Sequence, residues 1–176
     1  GKLVANEILQ DDRFELAWVV KRTRKFSEQD ASRLLGGESK VGAIHAVDSL
    51  NARFYAKNPV DILVDFSSPA GYRSYREAPE AGVRIITAIS KYEPEDLAVL
   101  QDMARAAAVL CSPNITLGIN FLLVASQVLQ KIAPHADVEI IEEHFRGKRE
   151  TSGTALKIAQ VLGLEKTRHV NSIRVG

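Results

Sequence analysis

The stretch VDILVDFSSP, residues 60–69, decides the fold of this chain. Its apolar run ends in a polar turn, which is typical of a strand buried in a parallel sheet. A second such run, VRIITAIS at 83–90, follows a segment of helical tendency at 70–81. Strands that alternate with helices at this spacing predict a parallel sheet with right-handed crossovers and ligands at the carboxyl ends of its strands.

The alternation extends to both sides of this stretch. Before it, the pattern predicts a helix in GKLVANEILQDD (1–12), strands in FELAWVV (14–20) and VGAIHAV (41–47), and a polar surface excursion over 26–40. After it, the pattern predicts a helix in EPEDLAVLQDMARAAA (93–108) and a strand in AVLCSPN (108–114). We therefore expect an α/β domain of Rossmann type, a parallel sheet covered by helices, over residues 1–113.

From Gly118 the character of the sequence changes. The pattern predicts helices in INFLLVASQVLQKIA (119–133) and TALKIAQVLG (154–163), and strands in VEIIEEHF (138–145) and HVNSIRVG (169–176). We expect a smaller α+β domain over residues 114–176. A dinucleotide-binding domain should begin with a strand and a Gly-rich turn, so we expect that the first strand, and a C-terminal part, are missing from this chain.

Composition sets limits on the function. The 176 residues are 45% hydrophobic, and 23 Lys and Arg against 22 Asp and Glu give a net charge of only +1. No overall basic field favours a nucleic-acid partner. The apolar segments are too short for a membrane span, and we expect a cytoplasmic protein without a metal. The single cysteine, Cys111, most simply reads as a buried residue at a strand end.

The run IIEEHFRGKRETSGTAL, residues 140–156, contains the candidate catalytic and substrate-binding residues. His144 and Lys148 can supply a proton and cationic charge to a carboxylate substrate, although a solvated surface turn would carry the same residues. Ser152, Gly153 and Thr154 open a helix whose free N–H groups can bind an anion, while plain capping is the alternative. Lys21 and Arg22 follow the second strand of the fold, where an NADP 2′-phosphate binds; a solvated charged face is the alternative there.

The same run resembles the E-x-H-H-x-x-K-x-D-x-P-S-G-T-A signature of dihydrodipicolinate reductases. DFSSP (65–69) resembles that family's D-F-T-x-P, and SPNITLGIN (112–120) resembles its A-P-N-F-S-x-G-x-N. The chain departs from the family at Phe145, which replaces the second His, at Glu150, in a loop one residue shorter, and in TAIS (87–90), which replaces G-T-T-G.

The resemblance implies roles for individual residues. It implies proton transfer by His144 and Lys148, and substrate contacts from Phe145, Ser152, Gly153 and Thr154. It implies that the cofactor is NADPH, with NADH as the alternative, and that the cofactor-binding residues are Gly1, Lys2, Leu3, Lys21, Arg22, Phe66, Thr87, Ala88, Ile89, Ser112, Pro113, Asn114 and Ile115.

It further implies a function. We expect reduction of 4-hydroxy-tetrahydrodipicolinate, a small dicarboxylate of the diaminopimelate route to lysine, by a homotetramer built through the substrate-binding, oligomerising second domain. Two alternatives stay open: an oxidoreductase of the same fold acting on another small imino or keto acid, and a non-catalytic nucleotide-binding paralogue.

Overall fold

The chain folds into two compact units. A computed structural model describes residues 1–27 and 29–176. The N-terminal unit is Gly1–Pro113 and the C-terminal unit is Asn114–Gly176. Within these described ranges, the N-terminal unit contains three parallel strand pairs and the C-terminal unit contains one. In the described residues, no helix is long and apolar enough to cross a membrane.

The N-terminal unit alternates strands and helices, as the sequence predicts. Its elements are α1 (Lys2–Gln10), β1 (Trp18–Lys21), α2 (Ala31–Leu34), β2 (Ala43–Ala46), α3 (Ala52–Lys57), β3 (Ile62–Asp65), β4 (Arg84–Thr87), α4 (Pro94–Met103) and β5 (Val109–Cys111). All strand pairs in this unit are parallel, so the predicted α/β class is confirmed.

The parallel strands form two sheets instead of the single sheet that we expected. β1 pairs with β2, and β3, β4 and β5 form a second sheet in that order. In a doubly wound sheet the first strand lies between the second and the fourth. The described residues begin with α1, so β1 and β3 lack a described strand between them that would join the two sheets.

The core of this unit lies on one face of the second sheet. Tyr55, Leu63 and Ile85 are buried there together with residues of α4. The expectation of a strand buried on both faces is wrong for β3, because Ile62 and Val64 are 42% and 40% exposed. Successive side chains of a strand point to opposite faces, so the apolar run of β3 has one face that this unit does not cover.

The structure differs from the sequence-based prediction in two segments. Residues 70–81 do not form a helix but two short 3₁₀ turns, Gly71–Ser74 and Pro79–Ala81. Pro79 lacks the N–H group that a continuous helix would use at that position, and the turn ends at Gly82 with φ 81°. The predicted surface excursion 26–40 contains the short helix α2; Glu28, inside it, lies outside the described residues.

The C-terminal unit is built around a parallel strand pair. Its elements are α5 (Leu117–Ile132), β6 (Ile140–Phe145), α6 (Gly153–Val161), α7 (Lys166–His169) and β7 (Val170–Val175). The register places Glu142 opposite Ser172 and His144 opposite Arg174. Helix α6 buries Ala155, Ile158 and Ala159, whereas α5, although apolar, buries no side chain.

Candidate active site

Strand β6 turns His144 and Glu142 to the same face of the C-terminal sheet. Glu142 is only 7% exposed, and its Oε2 contacts Nδ1 of His144. The His144 side chain keeps 35% of its surface exposed. Phe145, next along the strand, lies on the opposite face and is 67% exposed. The structure therefore does not bring Phe145 to the face of His144, and its predicted substrate contact stays a prediction.

The Glu142 carboxylate is the centre of a hydrogen-bond network that sequence reasoning missed. Its Oε1 accepts hydrogen bonds from Ser172 Oγ at 2.6 Å, Arg174 Nη2 at 2.9 Å and the Ser152 backbone N–H at 3.1 Å. The Arg174 bond, followed by those of Ser172, His144 and Ser152, lowers the pKa of Glu142 to about 2. Glu142 is therefore an anion beside His144 at neutral pH.

The signal for this network in the sequence was the alternation of polar residues along the two strands. Glu142 and His144 stand two residues apart in β6, and Ser172 and Arg174 stand two apart in β7. A spacing of two in a strand places each pair on one face. The pairing of the two strands, which are about 30 residues apart in sequence, is a tertiary contact that the local pattern does not contain.

Lys148 lies in the loop that leaves β6. Its backbone N–H donates to the Phe145 carbonyl at 3.0 Å, and its own carbonyl accepts from Arg174 Nε at 2.7 Å. Arg174 Nη2 also donates to the Glu150 carbonyl at 2.9 Å. The Lys148 backbone is thus fixed, whereas its ammonium group has no ion pair among the described residues. A lysine with a fixed backbone and an unpaired ammonium group can reach an anionic ligand.

The Ser152-Gly153-Thr154 turn opens α6, as predicted. Ser152 is the N-cap, but its side chain makes no capping hydrogen bond, so plain capping does not account for it. The first hydrogen bond of the helix runs from Leu156 N to Ser152 O, which leaves the N–H groups of the first turn available to an anion. A Cβ at Gly153 would meet nothing within 4 Å, so the approach to these groups is open.

Thr154 connects this turn to a residue predicted for the cofactor. Its Oγ1 donates to Oδ1 of Asn114 at 2.9 Å, and the Asn114 carbonyl accepts from Asn120 Nδ2 at 2.8 Å. Asn114 therefore supports the anion turn within the C-terminal unit. The neighbouring Ile115 is 47% exposed, and Pro113 ends the N-terminal unit.

In the N-terminal unit, the predicted cofactor residues of β3, β4 and β5 meet at one edge of the sheet. The Ala88 N–H donates to the Asp65 carbonyl and the Ser112 N–H donates to the Thr87 carbonyl, both at 3.0 Å. Phe66, directly after β3, is 39% exposed. The edge is thus assembled from the carboxyl ends of parallel strands, the usual place for a ligand.

Two side chains at this edge point into the protein. Thr87 is fully buried and shares a hydrogen bond of 2.7 Å with the Tyr92 hydroxyl, and Ile89 is 8% exposed. In TAIS, therefore, the side chains of Thr87 and Ile89 do not face a ligand, and a cofactor would meet the backbone and Ala88. Thr87 stands where the family has a glycine, and its side chain lies in the core.

A buried carboxylate that we did not assign supports the same edge. Asp65, 6% exposed, accepts hydrogen bonds from the Ser67 N–H at 2.7 Å and from the Tyr75 hydroxyl at 2.8 Å. Burial, with the Asp65 charge beside it, raises the pKa of Tyr75, so this hydroxyl stays a donor. A Cβ at Gly71 would approach Asp65 Oδ2 to 2.7 Å, which requires glycine there.

The basic residues at the end of β1 and directly after it differ in their surroundings. Lys21 Nζ lies 4.6 Å from the centre of the Phe26 ring, and Arg24 pairs with Asp48 at 2.7 Å. Arg22 is exposed and makes no ion pair within the part of the chain that the structure describes. Of the predicted pair, Arg22 is the cation left for an anionic ligand.

Helix α1 presents its N-terminus at Gly1. Gly1 is the N-cap, Lys2 and Leu3 form the first turn, and this turn contains no acidic residue. The first hydrogen bond of the helix runs from Ala5 N to Gly1 O, so the preceding N–H groups are open to a phosphate. Leu3 is 83% exposed.

Comparison with known proteins places this chain in a family. Residues 1–115 match the family model described as "Dihydrodipicolinate reductase, N-terminus". The chain belongs to the dihydrodipicolinate reductase family. Within it, the chain is 30% identical to the 4-hydroxy-tetrahydrodipicolinate reductase of Nitrosomonas europaea, an alignment that covers 99% of the chain and 65% of that relative.

A second sequence relative and a solved structure also resemble this chain. The 4-hydroxy-tetrahydrodipicolinate reductase of Nitratidesulfovibrio vulgaris is 31% identical over 92% of the chain and 60% of its own length. The structure of dipicolinate-bound dihydrodipicolinate reductase from Paenisporosarcina sp. TG-14 has a TM-score of 0.71 at 20% identity, covering 99% of this chain and 75% of that one. The chain thus has the family fold and spans less than two thirds of the length of these two sequence relatives.

Proposed function

We propose that this chain carries out the NAD(P)H-dependent reduction of 4-hydroxy-tetrahydrodipicolinate to tetrahydrodipicolinate in lysine biosynthesis. The observation that carries the proposal is the arrangement in the C-terminal unit. The His144 imidazole is half-buried and held by the buried Glu142 carboxylate, which also accepts from the Ser152 N–H at the start of a helix whose N-cap side chain makes no capping hydrogen bond. Because the chain belongs to the reductase family, we assign this proton donor and anion site to the reaction of its relatives.

The residues of the C-terminal unit would have different roles in this reaction. The Ser152-Gly153-Thr154 turn would hold a substrate carboxylate by the N–H groups of Gly153 and Thr154 and by the Ser152 hydroxyl, since the Ser152 N–H donates to Glu142. Lys148 would add cationic charge, and it or His144 would supply the proton that accompanies reduction. His144 keeps 35% of its side chain exposed and Gly153 borders open space, so a small dicarboxylate can reach both.

The N-terminal unit fits a nicotinamide dinucleotide. An open helix N-terminus at α1 suits a pyrophosphate, and the carboxyl ends of β3, β4 and β5 form a backbone edge. When bound, the cofactor supplies the hydride. We infer NADPH as the preferred form, with NADH as the alternative, because the tip after β1 has the exposed Arg22 where an NAD enzyme has an acidic residue.

We also propose a homotetramer joined through the β6–β7 sheet. One face of this sheet carries Ile141, Phe145, Ile173 and Val175, all between 43% and 67% exposed. Glu143 and Asn171 lie on the same face among these apolar residues, and a largely apolar exposed face of this kind marks an interaction surface. It lies opposite the face of Glu142 and His144, so assembly there would leave the proposed site accessible.

Two observations favour a different substrate as the second candidate. Phe145 replaces an imidazole of the family, and the buried Thr87 stands where the family has the first glycine of G-T-T-G. An oxidoreductase acting on another small imino or keto acid would keep the same proton donor and anion turn. A non-catalytic paralogue would need neither His144 nor Lys148.

One experiment separates these functions. The purified protein is assayed for NADPH oxidation with freshly prepared 4-hydroxy-tetrahydrodipicolinate and with a panel of imino and keto acids. We expect turnover of the first substrate, and a loss of about 10²-fold or more in kcat for His144→Ala or Lys148→Ala. Turnover of another acid alone would establish the second candidate. If the wild type and both variants are inactive on every substrate of the panel, the chain is the non-catalytic paralogue.

A further inference from the structure

The two oxygens of the Glu142 carboxylate have different partners. Oε1 accepts from three donors, namely Ser152 N, Ser172 Oγ and Arg174 Nη2. Oε2 faces Nδ1 of His144. A carboxylate with its charge intact only accepts hydrogen bonds. Since Glu142 is buried and salt-bridged to Arg174, the ring nitrogen that faces it must be the one that carries a proton.

We propose that Glu142 is a positioning residue that holds a proton on Nδ1 of His144 and so reserves Nε2 for proton exchange with the substrate. This inference rests on the proposed function. In the transfer step, the Nε2–H bond of the imidazolium breaks, the proton bonds to the substrate, and the ring is left neutral with its proton on Nδ1. Glu142 stays ionised and its partners stay in place.

Arg174 keeps this carboxylate oriented. Its Nε and Nη2 donate to the carbonyls of Lys148 and Glu150, and Nη2 also donates to Glu142 Oε1. The planar guanidinium therefore joins the loop that carries Lys148 to the residue that orients His144. Both proton-bearing side chains of the site depend on one arginine of the neighbouring strand.

The different partners of the two oxygens predict an unusual effect of Glu142→Gln. Three donors converge on the Oε1 position, so the amide oxygen of the glutamine should occupy it. The amide NH₂ group then faces Nδ1 of His144 and can only donate. The proton of the neutral ring must move to Nε2, which reverses the tautomer while the fold keeps a near-isosteric side chain.

The tautomer can be read from ¹⁵N chemical shifts of the imidazole nitrogens in the labelled protein, at a pH where the ring is neutral. We expect His144 of the wild type to be protonated on Nδ1, and His144 of Glu142→Gln to be protonated on Nε2. His169 is an internal control, because its Nδ1 donates to the Val138 carbonyl at 3.0 Å and should not change. A wild-type ring protonated on Nε2, or a ring that keeps its tautomer in a folded variant, overturns the proposal.

Kinetics provide the second measurement. Glu142→Gln is expected to lower kcat by about 10²-fold, the usual contribution of a positioned acid or base, with little change in KM because the Ser152 turn keeps its acceptor. Glu143→Gln, the exposed neighbour on the other face of β6, is the matched control and should keep the wild-type kcat.

The two readouts also distinguish the two levels of inference. A reversed tautomer in a protein that does not reduce the substrate would refute the proposed function, whereas Glu142 would still set the ring proton. An active wild type whose Glu142→Gln variant reverses the tautomer but keeps full kcat would support the function and refute the positioning role.

Discussion

Glu142 shows how one buried carboxylate can serve both stability and chemistry. Its pKa is lowered from 4.5 to about 2 in the folded chain, chiefly by the hydrogen bond from Arg174. Its anion is therefore better stabilised in the folded state than in the unfolded state. The Arg174 side chain that stabilises this charge also donates from Nε to the Lys148 carbonyl, so acid conditions affect the fold and the site together.

This difference predicts a specific acid sensitivity. The contribution of Glu142 to stability is complete above pH 4.5 and is lost as the pH falls from 4.5 towards 2, because the unfolded chain takes up the proton first. In urea unfolding across this range, the stability advantage of wild type over Glu142→Gln should shrink as the pH falls. A constant advantage would contradict the assignment. Glu143→Gln, which leaves the contacts of Glu142 intact, should retain the steep wild-type dependence.

Arg22 allows a second test at the scale of one residue. It is the exposed cation at the tip of β1, whereas Lys21 lies over Phe26 and Arg24 is paired. If Arg22 binds the 2′-phosphate, Arg22→Ala removes a charged hydrogen bond of about 1.5 kcal/mol, roughly tenfold in NADPH affinity. Fluorescence titration should show this loss for NADPH and none for NADH.

The matched control for Arg22 lies at the other end of the strands. Arg84 begins β4 at the amino edge of the second sheet and is 57% exposed on its side chain. Arg84→Ala should change neither affinity, because ligands of such sheets bind at the carboxyl edge. An unchanged ratio of NADPH to NADH affinity in Arg22→Ala would mean that the basic tip is a solvated face.

At the scale of elements, local sequence predicted most strands and helices because their periodicity and caps are local. β1, β4, β5, β6 and β7 lie within the predicted runs or extend one residue beyond them, and α4 begins at Pro94 with a capping box of Glu93 and Asp96. What sequence could not predict depends on pairing between distant residues. The burial of Thr87 and the hydrogen bond from Arg174 to Glu142 are set by tertiary contacts.

The start of α6 gives a prediction at this scale. A capping serine contributes about 1 kcal/mol to stability, but the Ser152 side chain makes no such bond. Ser152→Ala should therefore change the free energy of unfolding by less than about 0.5 kcal/mol, while the affinity for a dicarboxylate such as dipicolinate falls. Urea unfolding and calorimetric titration measure the two effects separately.

Helix α3 provides the control for Ser152→Ala, because its N-cap side chain does make a capping hydrogen bond. Asn51 is its N-cap, and its side chain accepts a hydrogen bond from the Phe54 N–H at 3.0 Å. Asn51→Ala should cost about 1 kcal/mol of stability and leave dicarboxylate affinity unchanged. Equal stability losses in Ser152→Ala and Asn51→Ala would show that the α6 turn is an ordinary cap and would remove the main support for a carboxylate site.

At the scale of the whole molecule, the two units divide the proposed reaction between a nucleotide fold and a substrate fold. The first has its ligand edge at the ends of parallel strands, and the second has its charged network on one face of a two-stranded sheet. A two-stranded sheet with an uncovered apolar face is marginal alone. Further chain or further subunits against that face would stabilise the same strands that carry His144 and Arg174.

The proposed tetramer can be tested on this face. Ile173 is 43% exposed and lies opposite Glu143 in the sheet register, away from the Glu142 network. Ile173→Lys would place a charge in the interface, and light scattering after size-exclusion chromatography should then show species smaller than a tetramer. Leu97→Lys, an equivalent change of a 40% exposed leucine in the N-terminal unit, should leave the mass unchanged. If Ile173→Lys remains tetrameric, the subunits are joined elsewhere, and the apolar face is covered by something other than a second sheet.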